Sequence, residues 1–195
     1  MHRALSVAAV AALALSVAMP APAQDEDPIF GFIPGGGRTI LAGLLDAGAP
    51  DAVVSQMLET DRDAEAWAEW IGDNRDAVPG LSGLDEWQAM TLAAYLHNTA
   101  PVPAAGLAGE DLRRAMPRDG RDLIMRYCQS CHIITVTVTQ ERTREAWLGT
   151  LNNPSHVEIA IDARERREMA DYLVLNAGIP IDLIPPPLRA GGASY

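Results

Sequence analysis

The chain has 195 residues, 48% hydrophobic and 21% charged, with a formal net charge of -11 in which all 15 basic residues are arginine. That composition is ordinary for a globular protein, and the acidic balance argues against a nucleic-acid partner, because phosphate binding needs a basic footprint. The charge is uneven: residues 24–109 hold 3 Arg against 14 Asp and Glu, while residues 110–195 hold 11 Arg against 12, which points to two units with different surfaces.

In chain order, residues 1–23 read as an export signal. His2 and Arg3 make a polar, basic start, residues 4–19 are apolar and alanine-rich, and Ala21-Pro22-Ala23 supplies a small-residue cleavage pattern. The apolar run is shorter than the roughly 20 residues a membrane span needs. No second run of that length follows, so the mature chain is expected to lack a transmembrane segment. Residues 24–38 are acidic, then rich in Gly and Pro, and read as a flexible lead-in.

Residues 39–103 form an acidic helical unit. Periodicity starts near Thr39 with Leu41 and Leu44, resumes at Val53 and Met57, runs again from Asp63 to Ile71, and ends with a helix from Asp85 to Leu96. Pro101-Val102-Pro103 closes that unit and residues 104–108 read as a linker. Residues 110–182 form the second unit: a helix over 121–127, a short extended piece over 135–138, a helix over 143–151 carrying Trp147, and a last helix over 162–175 capped by Asp162. The Pro-rich tail, residues 183–195, is expected to be extended and loose. The fold class is all-α.

The densest chemistry lies at Tyr127-Cys128-Gln129-Ser130-Cys131-His132, which holds the only two cysteines. C-x-x-C-H is the pattern of covalent c-type haem attachment. Positions i, i+3 and i+4 share one side of a helical turn, so two thiols can form thioethers while the following imidazole reaches the iron. Three other readings compete. A thioredoxin-like dithiol expects a βαβ setting, which is missing here. A structural zinc site needs four ligands, and a plain disulfide leaves His132 unexplained. The expected cofactor is one covalent haem c, with His132 as the proximal iron ligand.

The sequence also repeats itself. Trp70-Ile71-Gly72 and Trp147-Leu148-Gly149 lie 77 residues apart (147 − 70). The same offset pairs Asp85 with Asp162, Tyr95-Leu96 with Tyr172-Leu173, and Val102-Pro103 with Ile179-Pro180. Carried backwards without a gap, it sets Asp51, Val54 and Ser55 opposite Cys128, Cys131 and His132. The first copy therefore has no haem-attaching residues.

From Gly120 onward the chain resembles the monohaem cytochrome c fold. Gly120 and Ile124 precede the motif where that family packs a glycine and a bulky side chain on its last helix, and Tyr172-Leu173 matches the aromatic and leucine of that helix. Trp147 resembles, more weakly, cytochrome subunits that accompany periplasmic dehydrogenases such as sulfite dehydrogenase. The resemblance implies a cytochrome c-like haem domain preceded by a haemless cytochrome-like repeat, located in the periplasm, where haem is attached. It implies single-electron transfer between a redox protein donor and acceptor, one of them a dehydrogenase in the weaker resemblance. No nucleophile-base set or phosphate loop argues for an enzyme. The family's second axial ligand is usually a methionine in the loop before the last helix, but this loop carries His156 instead. His156 is the distal candidate, Met169 a lesser one, and Met116 a third. The rival reading is a haem enzyme or gas sensor with an open sixth position.

Overall fold

The computed structural model describes residues 29–103, 107 and 111–189. Residues 1–28, where the export signal is expected, most of the 104–110 connection and residues 190–195 lie outside that range. Among the described residues the protein is all-helical, with no strand. The helices are α1 (Gly37–Asp46), α2 (Asp51–Glu59), α3 (Ala64–Asp73), α4 (Glu86–Thr99), α5 (Leu112–Ala115), α6 (Gly120–Tyr127), α7 (Thr135–Val138), α8 (Arg144–Leu151), α9 (Pro154–Val157) and α10 (Ala163–Asn176).

Two cores form. The first joins Leu41, Leu44, Val54, Leu58, Trp67, Ile71, Leu92 and Leu96. The second joins Leu123, Ile124, Ile134, Val138, Trp147, Leu151 and Leu173. Each is built on a first helix crossing a last helix at a glycine. A Cβ placed on Gly37 would stand 2.1 Å from Tyr95 Cβ, and one on Gly120 would stand 2.1 Å from Tyr172 Cβ. Only glycine allows backbones that close.

The two halves match feature by feature. Asp85 and Asp162 each cap the last helix in a reciprocal capping box, a motif that satisfies two orphan helix donors at once. Trp67 and Trp147 are both buried, and each carries an arginine above its ring, Arg62 at 5.0 Å and Arg142 at 5.1 Å. Val102 N donates to Leu58 O at 2.7 Å, and Ile179 N donates to Val138 O at 3.0 Å.

These matches revise the register of the repeat. The offset is 83 along α1 and α6 (Gly37, Gly120), 80 along α3 and α8 (Trp67, Trp147), and 77 along α4 and α10 (Tyr95, Tyr172). The first half is three residues longer between Gly37 and Leu58, which answers to Val138, and three longer again between Trp67 and Tyr95. A gap-free register therefore holds only along the last helices. Trp67, not the half-buried Trp70, is the counterpart of Trp147. Opposite Cys128, Cys131 and His132 stand Leu45, Gly48 and Ala49, not Asp51, Val54 and Ser55.

The halves interlock about an approximate two-fold axis. Tyr95 Oη donates to Pro117 O at 2.9 Å, and Tyr172 Oη donates to Pro34 O at 2.5 Å. The two prolines are themselves counterparts, so each half's tyrosine reaches the other half's lead-in. Such reciprocity is the mark of an isologous contact. Between them α4 lies against α10, where Asn98 Nδ2 donates to Glu168 Oε2 (3.1 Å) and Asp171 Oδ2 (2.9 Å).

Four expectations change. Residues 135–138 form a helical turn rather than an extended piece: Val138 N bonds Ile134 O at 3.0 Å, and Thr139 bonds Thr135 O through both its N–H and its hydroxyl. The Thr-Val alternation there places Thr135 and Val138, three apart, together on the buried side. The lead-in packs on the second core from Phe30, with Phe30 and Phe32 partly buried and Ile33 1% exposed inside it. The tail is packed as far as Arg189, since Ile184 is buried and its carbonyl accepts from Arg189 Nε at 3.0 Å. Finally, α5 lies in the segment assigned to the second unit, yet its Leu112, together with Met116, packs into the first core. Leu107, the described residue of the linker, packs there too.

Candidate functional site

α6 carries the motif. Asp119 caps it, accepting from Asp122 N at 2.9 Å, and Gly120 takes the first helical position. The helix runs to Tyr127 and tightens into a 3-10 turn over Cys128–Ser130. His132 N then bonds Cys128 O at 3.0 Å, and Ser130 Oγ bonds Tyr127 O at 2.6 Å. The sequence spacing thus becomes one physical turn holding Cys128, Cys131 and His132.

Both thiols are free. Cys128 is half-buried against the second core, and burial pushes its thiol above the usual range while Thr137 hydrogen-bonds it. Cys131 and His132 are exposed. They edge a cleft of about 330 Å³ with apolar walls from Phe30, Ile133, Ile134 and Leu188. That volume sits at the small end of the range for cofactor sites. Two further observations mark the region. Thr135, also in the cleft wall, has a buried hydroxyl with no hydrogen-bond partner. Ile133 and Val136 are 49% and 39% exposed beside it, an apolar exposure that a bound planar group would cover. The residues present therefore fit a covalently attached apolar macrocycle. Among the described residues no group of three or more His, Cys, Asp and Glu is placed to hold a metal ion, so the zinc reading lacks its ligand set there.

The distal candidates are not brought to this cleft. His156 lies on α9, half-exposed, with Nδ1 3.2 Å from Ser155 Oγ. Met169 is fully buried in the second core. Met116 belongs to the first core, which removes it from the second half's chemistry. Phe30 and Leu188 do line the cleft, and sequence reasoning missed them because both lie in segments read as loose. Their only signal was large apolar residues within Gly- and Pro-rich context.

A second polar feature sits where the halves meet. Asp119 and Glu168 are 1% and 3% exposed. Glu168 accepts from Gly120 N at 2.9 Å and from Asn98 Nδ2 at 3.1 Å. Asp119 accepts from Arg38 N at 2.9 Å. Burial, reinforced by the neighbouring carboxylates, raises Asp119 to about 6 and Glu168 to about 8. Burial likewise raises the Tyr95 and Tyr172 phenols.

No family model, curated protein or solved structure matches the chain. Among the described residues no helix is long and apolar enough to cross a membrane.

Proposed function

We propose that the chain is an exported c-type cytochrome that carries single electrons between redox proteins, holding one covalent haem c through Cys128 and Cys131 with His132 as proximal iron ligand. The observation that carries this reading is the turn at the end of α6, where two free thiols and an imidazole meet beside an apolar cleft. The crossing of α6 and α10 through Gly120 and Tyr172 supports the finer fold reading, a cytochrome c-like second half after a haemless copy. When bound, haem supplies the ferric–ferrous couple. The chain's own residues do the rest. The two thiols would anchor the group, His132 would bind its iron, and Ile133, Ile134 and Leu188 would screen it from water. Donor and acceptor are redox proteins, a periplasmic dehydrogenase fitting the weaker resemblance.

A second reading, a haem enzyme or gas sensor with an open sixth position, is favoured by one observation: none of His156, Met169 and Met116 lines the cleft that His132 borders. Two experiments decide. Acid-acetone extraction should leave the chromophore on the wild type and strip it from the Cys128→Ala, Cys131→Ala double variant. Haem that extracts freely from the wild type sinks both readings. An electron carrier should bind carbon monoxide poorly, with His156→Ala testing whether that residue closes the iron, whereas ready binding by the wild type selects the second.

A further inference from the structure

The two-fold relation exposes a difference between the halves. In the second half a small hollow of about 160 Å³ lies between the lead-in of α6 and the start of α10. Every residue lining it has a counterpart lining a hollow of about 750 Å³ in the first half. Pro117, Arg118, Asp162 and Glu165 answer to Pro34, Gly35, Asp85 and Gln88.

The difference in volume has a visible cause. Arg118 reaches across its own hollow, with one guanidinium nitrogen 2.5 Å from Glu165 Oε1 and another 3.2 Å from Tyr127 Oη. Its guanidinium carbon stands 5.7 Å from the Tyr127 ring centre. The first half has glycine where that arginine starts, glutamine for its carboxylate and Leu44 for its phenol. Among the described residues none fills the space: a Cβ on Gly43 or Gly83, both in the wall, would meet no described atom within 4 Å.

The hollow is chemically one-sided. Among the described residues its lining contains no Arg, Lys or His, Arg75 reaching only the Leu84 carbonyl at 2.7 Å, and it offers the Asp85 carboxylate, the Gln88 amide and the Thr39 and Thr91 hydroxyls. Trp87, 59% exposed, stands in its wall. The half around it, residues 24–109, carries 3 Arg against 14 acidic residues.

We propose that this hollow is a binding site for a small organic cation, a guanidinium or ammonium group on an apolar body, which takes the place Arg118 fills in the other half. The cation would sit against the Trp87 ring and the Asp85 carboxylate, and the apolar body against Leu44 and Leu84. The volume lies well inside the range for small-molecule sites. The site does not depend on the haem reading, and its test does not read haem.

Calorimetric titration of the full chain with benzoyl-arginine amide, and with benzoyl-citrulline amide as its uncharged twin, tests the proposal. Saturable binding of the arginine compound is expected, with the citrulline compound weaker by about five-fold or more. In Gly35→Arg, where a Cβ meets nothing nearer than 3.5 Å, the new side chain should fill the hollow and abolish binding. Gln88→Glu, which adds the missing carboxylate on an exposed surface, should tighten binding about two- to five-fold. The proposal is overturned by equal affinity for the two compounds, by no saturation at millimolar arginine compound, or by unchanged binding in a folded Gly35→Arg. Should Gly35→Arg fail to fold, an unaltered affinity in Gln88→Glu overturns it as well.

Discussion

Replacing Glu168 by Gln should remove a large part of the protein's pH dependence of stability. Glu168 is 3% exposed and held at about 8, first by burial and then by Asp119, against the usual 4.5. An acid whose folded value is raised keeps a proton that the unfolded chain has released. Its stabilisation is therefore complete below about pH 4.5 and lost as pH rises toward 8. The loss approaches 1.4 kcal/mol per pH unit. Asp119, raised to about 6, acts with the same sign, but most of its share is lost below pH 6 and only about 0.4 kcal/mol of it remains above. The interval from pH 6 to 8 thus isolates Glu168, and wild type should lose about 2–3 kcal/mol across it. With a urea m-value of about 2 kcal/mol/M, that is a midpoint shift of about 0.7 M per pH unit. The amide retains the acceptor for Gly120 N and cannot ionise, so the Glu168→Gln profile should be flat by comparison and should meet wild type near pH 5. Urea titrations followed by far-ultraviolet circular dichroism measure both. Parallel profiles from pH 6 to 8 would refute the reasoning.

The register of the halves makes two predictions by equilibrium unfolding. Trp67→Ala should cost about 3–5 kcal/mol as a buried aromatic truncation, and Trp70→Ala, half-buried, clearly less; equal costs would return Trp70 to the place opposite Trp147. Gly120→Ala forces a Cβ to 2.1 Å from Tyr172 Cβ and 2.9 Å from the Glu168 carbonyl, so it should cost about 3 kcal/mol or more, whereas Gly43→Ala, with open space around it, should gain about 0.5–1 kcal/mol.

What the sequence made legible follows from what is local. Helical class, the Asp162 cap and the single turn of Cys128, Cys131 and His132 are set by spacing within a few residues, and each lies where spacing placed it. The Gly120–Tyr172 crossing was marked by resemblance, but its twin at Gly37 was hidden in a Gly-rich run that read as lead-in. Packing at long range was not legible. Ile33 and Ile184 look like loop residues because their neighbours are Gly and Pro, yet both are buried by elements distant in sequence. The offset failed for the same reason: two three-residue differences in length between matched positions leave no local trace, and two tryptophans three apart on α3 offered a false match.

The last prediction concerns whether the halves are domains at all. The chain first lays Ile33 into the second core, then builds the first half, and only afterwards returns to complete the second. Tyr172 takes its acceptor from Pro34, and Tyr95 takes its acceptor from Pro117. Neither half owns all of its core or all of its hydrogen-bond partners. Ile33→Ala should therefore cost about 2–4 kcal/mol, and it should lower a single transition rather than the second of two. A fragment of residues 110–189 lacks Ile33, the Pro34 carbonyl and the whole face of α4 that covers α10. It should not fold on its own, even though it contains the complete motif. Circular dichroism and tryptophan fluorescence of the full chain should report coincident transitions. A cooperative melt of the isolated fragment, or two separated transitions in the full chain, would show instead that the crossed contacts merely join halves that already stand alone.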